Sequence, residues 1–322
     1  MKKKVVLTRR WPEQVEKVLA DKYDCVFNPT DTPFTSEQYR DALLNADALL
    51  PTVTDKLDAN AMNVSSPRTR IIANFGVGFS HIDLATVKSQ NIVITNTPDV
   101  LSDCTADIAM TLLLMVARRA GEGERELRDS QWTGWRPTHL IGTKVSGKTL
   151  GIVGFGRIGR AMAKRAHAGF GMNIVVHNRS QVAPEVLNAV QAQQLSTLDE
   201  VLATSDFVSL HCPGGVENTH LINKQRLAAM KQGSYLINTA RGEVIDEDAL
   251  FDAITANQIA GVGLDVFQNE PTIDSRFLTL PNAVLLPHLG SATQETRDDM
   301  GYRVVKNLDQ FFKGEEPSDR VA

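Results

Sequence analysis

The stretch that decides the fold of this chain reads Thr149-Leu150-Gly151-Ile152-Val153-Gly154-Phe155-Gly156-Arg157-Ile158-Gly159. An apolar, strand-like run ends here in G-x-G-x-x-G, and a helical pattern begins. Gly154 permits the tight turn, Gly156 removes the Cβ that would keep a pyrophosphate away, and Gly159 lets the helix pack close to the strand. The N–H groups and positive dipole end of that helix then face phosphates. The next strand, 173–177, follows at the distance that reaches an adenosine ribose, so the stretch predicts a dinucleotide-binding turn.

Two similar glycine pairs serve as internal controls. Gly76-Val77-Gly78 and Gly261-Val262-Gly263 also follow apolar runs, but His81 and Val266 stand where a third glycine would be. Both pairs are interpreted as ordinary strand-end turns, and a plain tight turn is the alternative interpretation of the Gly154 motif as well.

Bulk properties exclude several classes of protein. A length of 322 residues favours two domains. The net charge of -4 gives no reason to expect a nucleic-acid partner. The 3 cysteines are widely spaced, form no metal-ligand pattern and suit a reducing compartment. Because no apolar run approaches membrane-spanning length, we expect a cytoplasmic protein that needs neither a membrane nor a metal.

Strand-like and helix-like segments alternate throughout, which predicts an α/β protein with two doubly wound parallel sheets. The strands expected in the first third are 4–8, 25–28, 48–53, 70–75 and 92–96. One long helical pattern over 104–130 turns from apolar to charged and suits a connector between domains. The alternation then restarts with six expected strands, which are 150–154, 174–177, 207–211, 234–238, 261–266 and 283–286. An amphipathic helix over 291–313 follows.

An arginine, a carboxylate and a histidine follow successive expected strands, as Arg241, Glu270 and His288. Reduction of a 2-oxo acid needs such a set. A guanidinium holds the carboxylate and polarises the adjacent carbonyl. An imidazolium supplies a proton as hydride arrives, and a glutamate bonded to it favours its charged form and fixes the ring.

The chain resembles the D-isomer-specific 2-hydroxyacid dehydrogenases, in particular their glyoxylate/hydroxypyruvate reductase branch, over nearly its whole length. The motifs that carry this resemblance are GFGRIG at 154–159, TARG at 239–242, DEDAL at 246–250, GLDVF at 263–267, EP at 270–271 and PHLGS at 287–291. The resemblance implies a Rossmann cofactor domain, residues 101–287, inserted into a flavodoxin-like substrate domain formed by residues 1–100 and 288–322.

The resemblance also implies residue roles. Arg241, Glu270 and His288 are its catalytic triad, and the Val77–Gly78 turn, set aside above, presents N–H groups to the substrate carboxylate. Asp265 holds the nicotinamide carboxamide. The implied substrate set is Val53, Val77, Gly78, Trp135, Arg241 and His288. The implied cofactor set is Thr105, Gly154, Gly156, Arg157, Ile158, Gly159, Asn178, Arg179, Ser180, Cys212, Pro213, Thr239, Ala240, Arg241, Asp265, His288 and Gly290.

Members of the family are dimers in which a tryptophan of the neighbouring subunit can reach the substrate. Trp135 lies in the matching segment. The alternative is that Trp132 and Trp135 only fill a dimer interface. Cys212 has no adjacent base in the sequence, so it is interpreted as a small residue lining the cofactor groove rather than as a nucleophile.

One departure from the usual pattern bears on the cofactor. NAD-binding domains carry an acid at the end of the second strand, where it bonds the ribose 2′-OH. Here that position reads His177-Asn178-Arg179-Ser180. Arg179 can neutralise a 2′-phosphate, and Ser180 and Asn178 can hydrogen-bond it. NADPH is therefore predicted over NADH, the alternative being that Arg179 stacks on the adenine while either cofactor binds.

The expected activity is NADPH-dependent reduction of glyoxylate to glycolate, or of hydroxypyruvate to D-glycerate. Two alternatives stay open. One is a dehydrogenase for another D-2-hydroxy acid. The other is a corepressor-like binding protein that senses the dinucleotide, since such proteins can keep the triad.

Overall fold

The computed structural model describes all 322 residues, Met1–Ala322, and the chain divides into two compact units. Unit 1 comprises Met1–Leu101 and Ala292–Ala322, and unit 2 comprises Ser102–Ser291. Unit 2 is therefore inserted into unit 1 along the chain. The sequence analysis placed the boundaries at 100/101 and 287/288, whereas residues 288–291 lie in unit 2.

The helices and strands follow one another in regular alternation. Unit 1 begins with β1 (Lys4–Leu7), α1 (Glu13–Lys22), β2 (Asp24–Val26), α2 (Ser36–Asn45), β3 (Ala48–Leu50), β4 (Ile71–Ala73), α3 (Leu84–Ser89) and β5 (Val93–Thr95). Unit 2 contains α4 (Ser102–Ala117), α5 (Ala120–Arg128), β6 (Thr149–Val153), α6 (Arg157–Phe170), β7 (Asn173–His177), α7 (Pro184–Asn188), β8 (Ala192–Gln194), α8 (Leu198–Thr204), β9 (Phe207–Leu210), α9 (Lys224–Ala229), β10 (Ser234–Asn238), α10 (Glu247–Thr255), β11 (Ile259–Leu264), α11 (Ser275–Leu278) and β12 (Ala283–Leu285). Helix α12 (Gln294–Phe312) then completes unit 1.

Each unit is built on one parallel sheet, which confirms the predicted fold class. The sheet of unit 1 has the order β2-β1-β3-β4-β5, the flavodoxin-like arrangement. The sheet of unit 2 has the order β12-β11-β10-β9-β6-β7-β8, a Rossmann arrangement with one further strand. Every pairing is parallel, so all strands of a sheet end at one edge, which we call its carboxyl edge.

The central strands are apolar because helices cover both faces of their sheets. Strands β3, β4, β9 and β10 are buried at every position, as expected for doubly covered parallel strands. Polar caps start several of the helices. Thr35 and Thr197 each form a capping box at the start of α2 and α8, where their hydroxyls accept the N–H three residues on.

Three details differ from the sequence analysis. The long helix expected over 104–130 is two helices, because Arg119 has a left-handed φ of 53° and the Thr143 N–H bonds the Ala117 carbonyl at 2.7 Å. The pair Gly261 and Gly263 is not a strand-end turn, since both residues lie inside β11.

The third difference is an additional edge strand. Strand β8 was not predicted, because its sequence of Ala192 and two glutamines has no apolar alternation. The glycines of β11 have a packing role instead of a turn role: a Cβ at Gly263 would lie 2.8 Å from Leu112 Cβ, so glycine lets α4 approach the sheet. No helix of the structure is both long and apolar enough to cross a bilayer.

Candidate active site

The glycine turn between β6 and α6 has the geometry that a dinucleotide requires. Gly154 has a φ of 91°, and a Cβ there would lie 2.7 Å from the Cys212 nitrogen. A Cβ at Gly159 would lie 2.3 Å from the Gly154 oxygen, whereas one at Gly156 would meet nothing within 4 Å. The first and third glycines therefore permit close packing, and the second faces open space, where a phosphate can approach the backbone. Arg157 and Ile158 form the first turn of α6 behind it.

The segment after β7 is organised around Asn178. Its Oδ1 accepts the Phe155 N–H at 3.1 Å, and its Nδ2 donates to the oxygen and Oγ of Ser180 at 3.0 and 3.1 Å. Asn178 thus joins the glycine turn to the next residues of its own loop. Arg179 takes no part in the hydrogen bonds between Asn178 and Ser180. Its Nη1 lies 2.9 Å from Oε2 of Glu217, and the two side chains are 91% and 80% exposed.

Buried polar atoms at the carboxyl edge also fit a polar cofactor. Strands β9 and β10 pair as far as Leu210 and Asn238, so the residues that follow, His211 and Thr239, stand at the same level. Nδ1 of His211 and Oγ1 of Thr239 are both buried without a hydrogen-bond partner. Unsatisfied atoms of this kind call for an acceptor or donor that the protein does not supply.

Cys212 and Pro213 follow β9 on the same edge as the glycine turn. Burial raises the pKa of the Cys212 thiol to about 11, so it is neutral near pH 7 and poorly suited to act as a nucleophile. In the neighbouring turn, Oδ1 of Asn238 accepts the Ala240 N–H at 2.9 Å, and its Nδ2 donates to the Arg241 oxygen at 2.9 Å. This side chain fixes the backbone of Thr239, Ala240 and Arg241.

Arg241 carries a buried guanidinium without a carboxylate at ion-pair distance. Its Nη1 donates to the Ala240 oxygen at 2.6 Å. Burial lowers the pKa of Arg241, and the charges of Glu243 and Glu270 oppose that effect. Glu243 also accepts the Gly215 N–H at 3.3 Å, which links the loops that follow β9 and β10. A buried cation with donors to spare is suited to an anionic ligand.

His288 and Glu270, which the sequence predicts as a proton donor and its partner, are in direct contact. Nδ1 of His288 lies 2.7 Å from Oε2 of Glu270, and Oε1 of Glu270 accepts the Phe267 N–H at 2.9 Å. Burial acts to raise the pKa of Glu270, but the hydrogen bond and charge of His288, the Phe267 N–H and Arg241 outweigh it, so the pKa is lowered. The carboxylate is ionised near neutral pH and orients the ring, with Nε2 left for a ligand.

Asp265 holds the backbone on which His288 sits. It is 1% exposed, and its two oxygens accept the N–H groups of Leu289 and Gly290 at 2.7 and 2.8 Å. His288 itself has a left-handed φ of 56°, an unfavourable conformation that the two bonds hold in place. Thr105 donates to the Gly290 oxygen at 3.0 Å. Burial raises the pKa of Asp265, and the Leu289 N–H and the charge of His288 oppose that rise.

The substrate residues expected in unit 1 lie together at its own carboxyl edge. A Cβ at Gly76 would lie 2.2 Å from Cγ1 of Val53, so Val53 packs on the turn that contains Val77 and Gly78. Nδ2 of Asn74 donates to the Gly76 and Gly78 oxygens, both at 3.0 Å.

Several residues of the site were missed by the sequence analysis. Asn74, Asn96 and Asn238 each follow or end a strand and bind the backbone of an expected ligand-binding turn. A polar amide at the end of an apolar run was the available signal, but it does not distinguish such a residue from an ordinary turn asparagine. Trp135, by contrast, is 82% exposed. No group of three or more His, Cys, Asp or Glu side chains could hold a metal ion.

Comparisons with known proteins agree with this geometry. The family described as "D-isomer specific 2-hydroxyacid dehydrogenase, NAD binding domain" matches residues 110–290. The chain is 43% identical to a glyoxylate reductase of Thermococcus litoralis over 329 residues, covering 100% of this chain and 97% of the relative. It is 37% identical to a glycerate dehydrogenase of Hyphomicrobium methylovorum over 321 residues, covering 100% and 99%.

A solved structure has a closely similar fold. It is that of an NADPH-dependent glyoxylate/hydroxypyruvate reductase from Sinorhizobium meliloti, in complex with NADP and malonate. The TM-score is 0.89 at 32% identity, and the match covers 100% of this chain and 97% of that one.

Proposed function

The chain belongs to the D-isomer-specific 2-hydroxyacid dehydrogenase family, in its glyoxylate reductase branch, and on that premise we propose that it reduces glyoxylate and hydroxypyruvate with NADPH as the preferred hydride donor. The observation that carries the proposal is the partly buried set of Arg241, Glu270 and His288 at one sheet edge. Unit 2 is the proposed cofactor domain and unit 1 the proposed substrate domain, with residues 288–291 assigned to the former.

Each proposed role follows from the chemistry of the side chain. The nicotinamide, when bound, supplies a hydride to the carbonyl carbon. His288, oriented through Nδ1 by Glu270, holds a proton on Nε2 and delivers it to the carbonyl oxygen. Arg241 binds the substrate carboxylate and polarises the adjacent carbonyl. The product has the D configuration wherever the carbon is chiral.

The rest of the carboxylate anchor is assigned to unit 1, where the N–H groups of Val77 and Gly78 donate to the substrate. Val53, which packs on the same turn, is a further proposed substrate residue of unit 1. Asp265 and Thr105 are both proposed to hold the loop that carries His288. Asp265 has a second proposed role, because it offers its remaining acceptor capacity to the nicotinamide carboxamide. The glycine turn, Asn178 to Ser180, and the residues from Cys212 to Pro213 and from Thr239 to Arg241 complete the proposed cofactor site, with Gly290.

The preference for NADPH rests on Arg179. No acidic residue occupies the end of β7, so the position that usually bonds the ribose 2′-OH carries no carboxylate of its own. In the structure Arg179 pairs with Glu217, but an exposed ion pair of this kind contributes only about 0.2–1 kcal/mol. A 2′-phosphate carries nearly two charges and three acceptor oxygens, so it can compete with this single exposed carboxylate for Arg179.

We further propose a homodimer. Leu127, Trp132, Trp135 and Ile141 are 62%, 53%, 82% and 65% exposed within one segment of unit 2, and large apolar side chains exposed together favour an interface. Trp135 is the proposed residue that reaches the partner's substrate. None of the cysteines forms a disulfide, which suits a cytoplasmic location.

The test measures oxidation of NADPH and NADH with glyoxylate, hydroxypyruvate and pyruvate, on wild type and Arg179→Ala. We expect kcat/KM for NADPH to fall about 10- to 100-fold in the variant, the loss of one charged hydrogen-bonding partner, while turnover with NADH survives. Arg320→Ala, which removes a surface arginine paired with Glu316 at 2.9 Å, is the matched control.

The outcomes separate the alternatives. Equal use of both cofactors by wild type contradicts the assigned role of Arg179 and leaves the enzyme intact. Tight dinucleotide binding without turnover of any 2-oxo acid favours the dinucleotide-sensing binding protein.

A further inference from the structure

We propose that Asn74 is a positioning residue for the carboxylate of the substrate. Its side-chain amide holds the carbonyl groups of the Gly76–Gly78 turn, so that the N–H groups of the turn stay directed at an anion. This inference rests on the proposed function, in which the Val77 and Gly78 N–H groups bind the substrate carboxylate.

Two buried amides together bind three consecutive carbonyl oxygens of the turn. Asn74, directly after β4, is 0% exposed, and its Nδ2 donates to the Gly76 and Gly78 oxygens at 3.0 Å each. Asn96, directly after β5, donates from Nδ2 to the Val77 oxygen at 2.9 Å. Each of the three carbonyl oxygens is therefore held by a side-chain amide of the protein.

Fixing the carbonyls also fixes the direction of the N–H groups. In a trans peptide the C=O and the following N–H point to opposite sides. The bond to the Gly76 oxygen therefore directs the Val77 N–H away from Asn74, and the bond to the Val77 oxygen directs the Gly78 N–H away from Asn96. Neither N–H donates to an acceptor within the protein, so both are available to a ligand. Successive N–H groups of this kind form an anion-binding concavity.

Packing leaves the turn little freedom to adopt another arrangement. A Cβ at Gly76 would lie 2.2 Å from Cγ1 of Val53 and 3.4 Å from Nδ2 of Asn74. The turn is thus held between a side chain and an amide. Oδ1 of Asn74 is buried without a partner, which is unfavourable in itself. The contribution of Asn74 therefore lies in its two donated bonds.

Unit 1 offers a matched control in Gln90. Its Nε2 also donates to two backbone oxygens, those of Met62 and Val64 at 3.3 and 2.9 Å, and its Oε1 is likewise buried without a partner. Gln90 precedes β5, so it lies at the opposite edge of the sheet from the turn. Removing either amide deletes the same number of bonds, but only one of the two deletions affects the anion site.

The experiment compares Asn74→Ala with Gln90→Ala by glyoxylate kinetics, by calorimetric titration with oxalate in the presence of NADP⁺, and by thermal unfolding. We expect Asn74→Ala to raise both the KM for glyoxylate and the Kd for oxalate about tenfold or more, since a directed charge-assisted bond is lost. Its kcat stays within about threefold, because Asn74 does not touch the reacting atoms. Gln90→Ala leaves the KM and the Kd unchanged while it lowers the Tm.

If the KM and the Kd change no more in Asn74→Ala than in Gln90→Ala, the inference is overturned. Should Asn74→Ala fail to fold, Asn74→Ser keeps one donor, and an intermediate rise in the oxalate Kd is then expected; an unchanged Kd overturns the inference. Wild type that binds oxalate but reduces no 2-oxo acid overturns the proposed function alone. Wild type that does neither overturns both.

Discussion

Two arginines follow strands of the same sheet, and the structure gives them opposite surroundings. Arg241, after β10, is partly buried, and this burial lowers the pKa of its guanidinium. Arg179, after β7, is 91% exposed and paired with Glu217, itself 80% exposed. The first belongs to the region that we propose performs the chemistry, and the second to the region that we propose reads the cofactor.

The different solvent exposure of the two arginines suits them to different proposed roles, Arg241 to catalysis and Arg179 to the selection of the cofactor. Around Arg241, partial burial reduces screening by water, so each charge interacts more strongly with its neighbours and with a bound anion. Around Arg179, water and salt screen every interaction. Substitutions in the buried region should therefore cost orders of magnitude in activity with either cofactor, whereas those in the exposed region should change the choice of cofactor, by at most about 100-fold.

The largest effect is expected for Arg241→Gln. The variant keeps a donor but loses the charge that binds the carboxylate, and removing one partner of a buried charged pair costs about 2–5 kcal/mol. We expect kcat/KM for glyoxylate to fall about 10³-fold, measured by NADPH oxidation. The control is Arg226→Gln, which removes a partly exposed arginine of α9 paired with Asp199 at 3.2 Å. A loss smaller than about tenfold in Arg241→Gln would contradict the comparison.

A smaller loss is expected for Glu270→Gln. Although burial opposes it, the hydrogen bond and charge of His288 lower the pKa of Glu270, so its carboxylate is charged near neutral pH and favours a charged imidazole beside it. The amide keeps the size of the side chain but not the charge. We expect kcat to fall about 100-fold and the pH above which the rate declines to move downwards. A kcat that falls with an unchanged pH profile would show that the carboxylate acts only through packing.

Acidification tests the buried region through stability instead of activity. Burial lowers the pKa of His211 to about 4, against about 6.5 in an unfolded chain. Between these values the unfolded state binds the extra proton, so stability is complete above about pH 6.5 and decreases as the pH falls towards 4. The expected loss is about 2 kcal/mol between pH 6.5 and 5, measured as the shift of the urea midpoint. His211→Asn should flatten this dependence, and an equal slope in wild type and variant would refute the assignment.

The smallest effect is expected for Glu217→Gln in the exposed region. The substitution removes the carboxylate that competes with a 2′-phosphate for Arg179. Since an exposed ion pair contributes about 0.2–1 kcal/mol, kcat/KM for NADPH should rise only about two- to fivefold, while that for NADH stays unchanged. The gain should disappear at high salt because of screening. If the variant keeps the same gain over wild type in about 0.5 M salt, the ion pair is less exposed to solvent than the structure indicates.

Much of the site could be predicted from sequence because its residues occur in short, ordered motifs. The G-x-G-x-x-G turn is local, so three glycines at fixed spacing specify its geometry. His288 and Glu270 were identified as partners from the chemistry of reduction, and the structure places their side chains 2.7 Å apart. The family and the two-sheet fold were predicted in the same way and are confirmed.

Other features depend on contacts between segments that are distant in sequence. The ion pair of Arg179 with Glu217 joins the loops that follow β7 and β9, and the sequence of neither loop predicts it. The break between α4 and α5 depends on Thr143, which binds the last carbonyl of α4 from a later segment. Strand β8 exists because it pairs with β7, not because of its own polar sequence.

The sequence by itself therefore determined the class of fold and the family, and it predicts the dinucleotide turn and the reacting groups, because hydrophobic periodicity, glycine spacing and side-chain chemistry are local properties. Only the tertiary structure decided which charges are buried and which backbone groups are already bound. Asn74 and Asp265 illustrate this. Each follows a strand as an ordinary polar residue, and each acquires its role from the backbone groups that folding brings to its side chain.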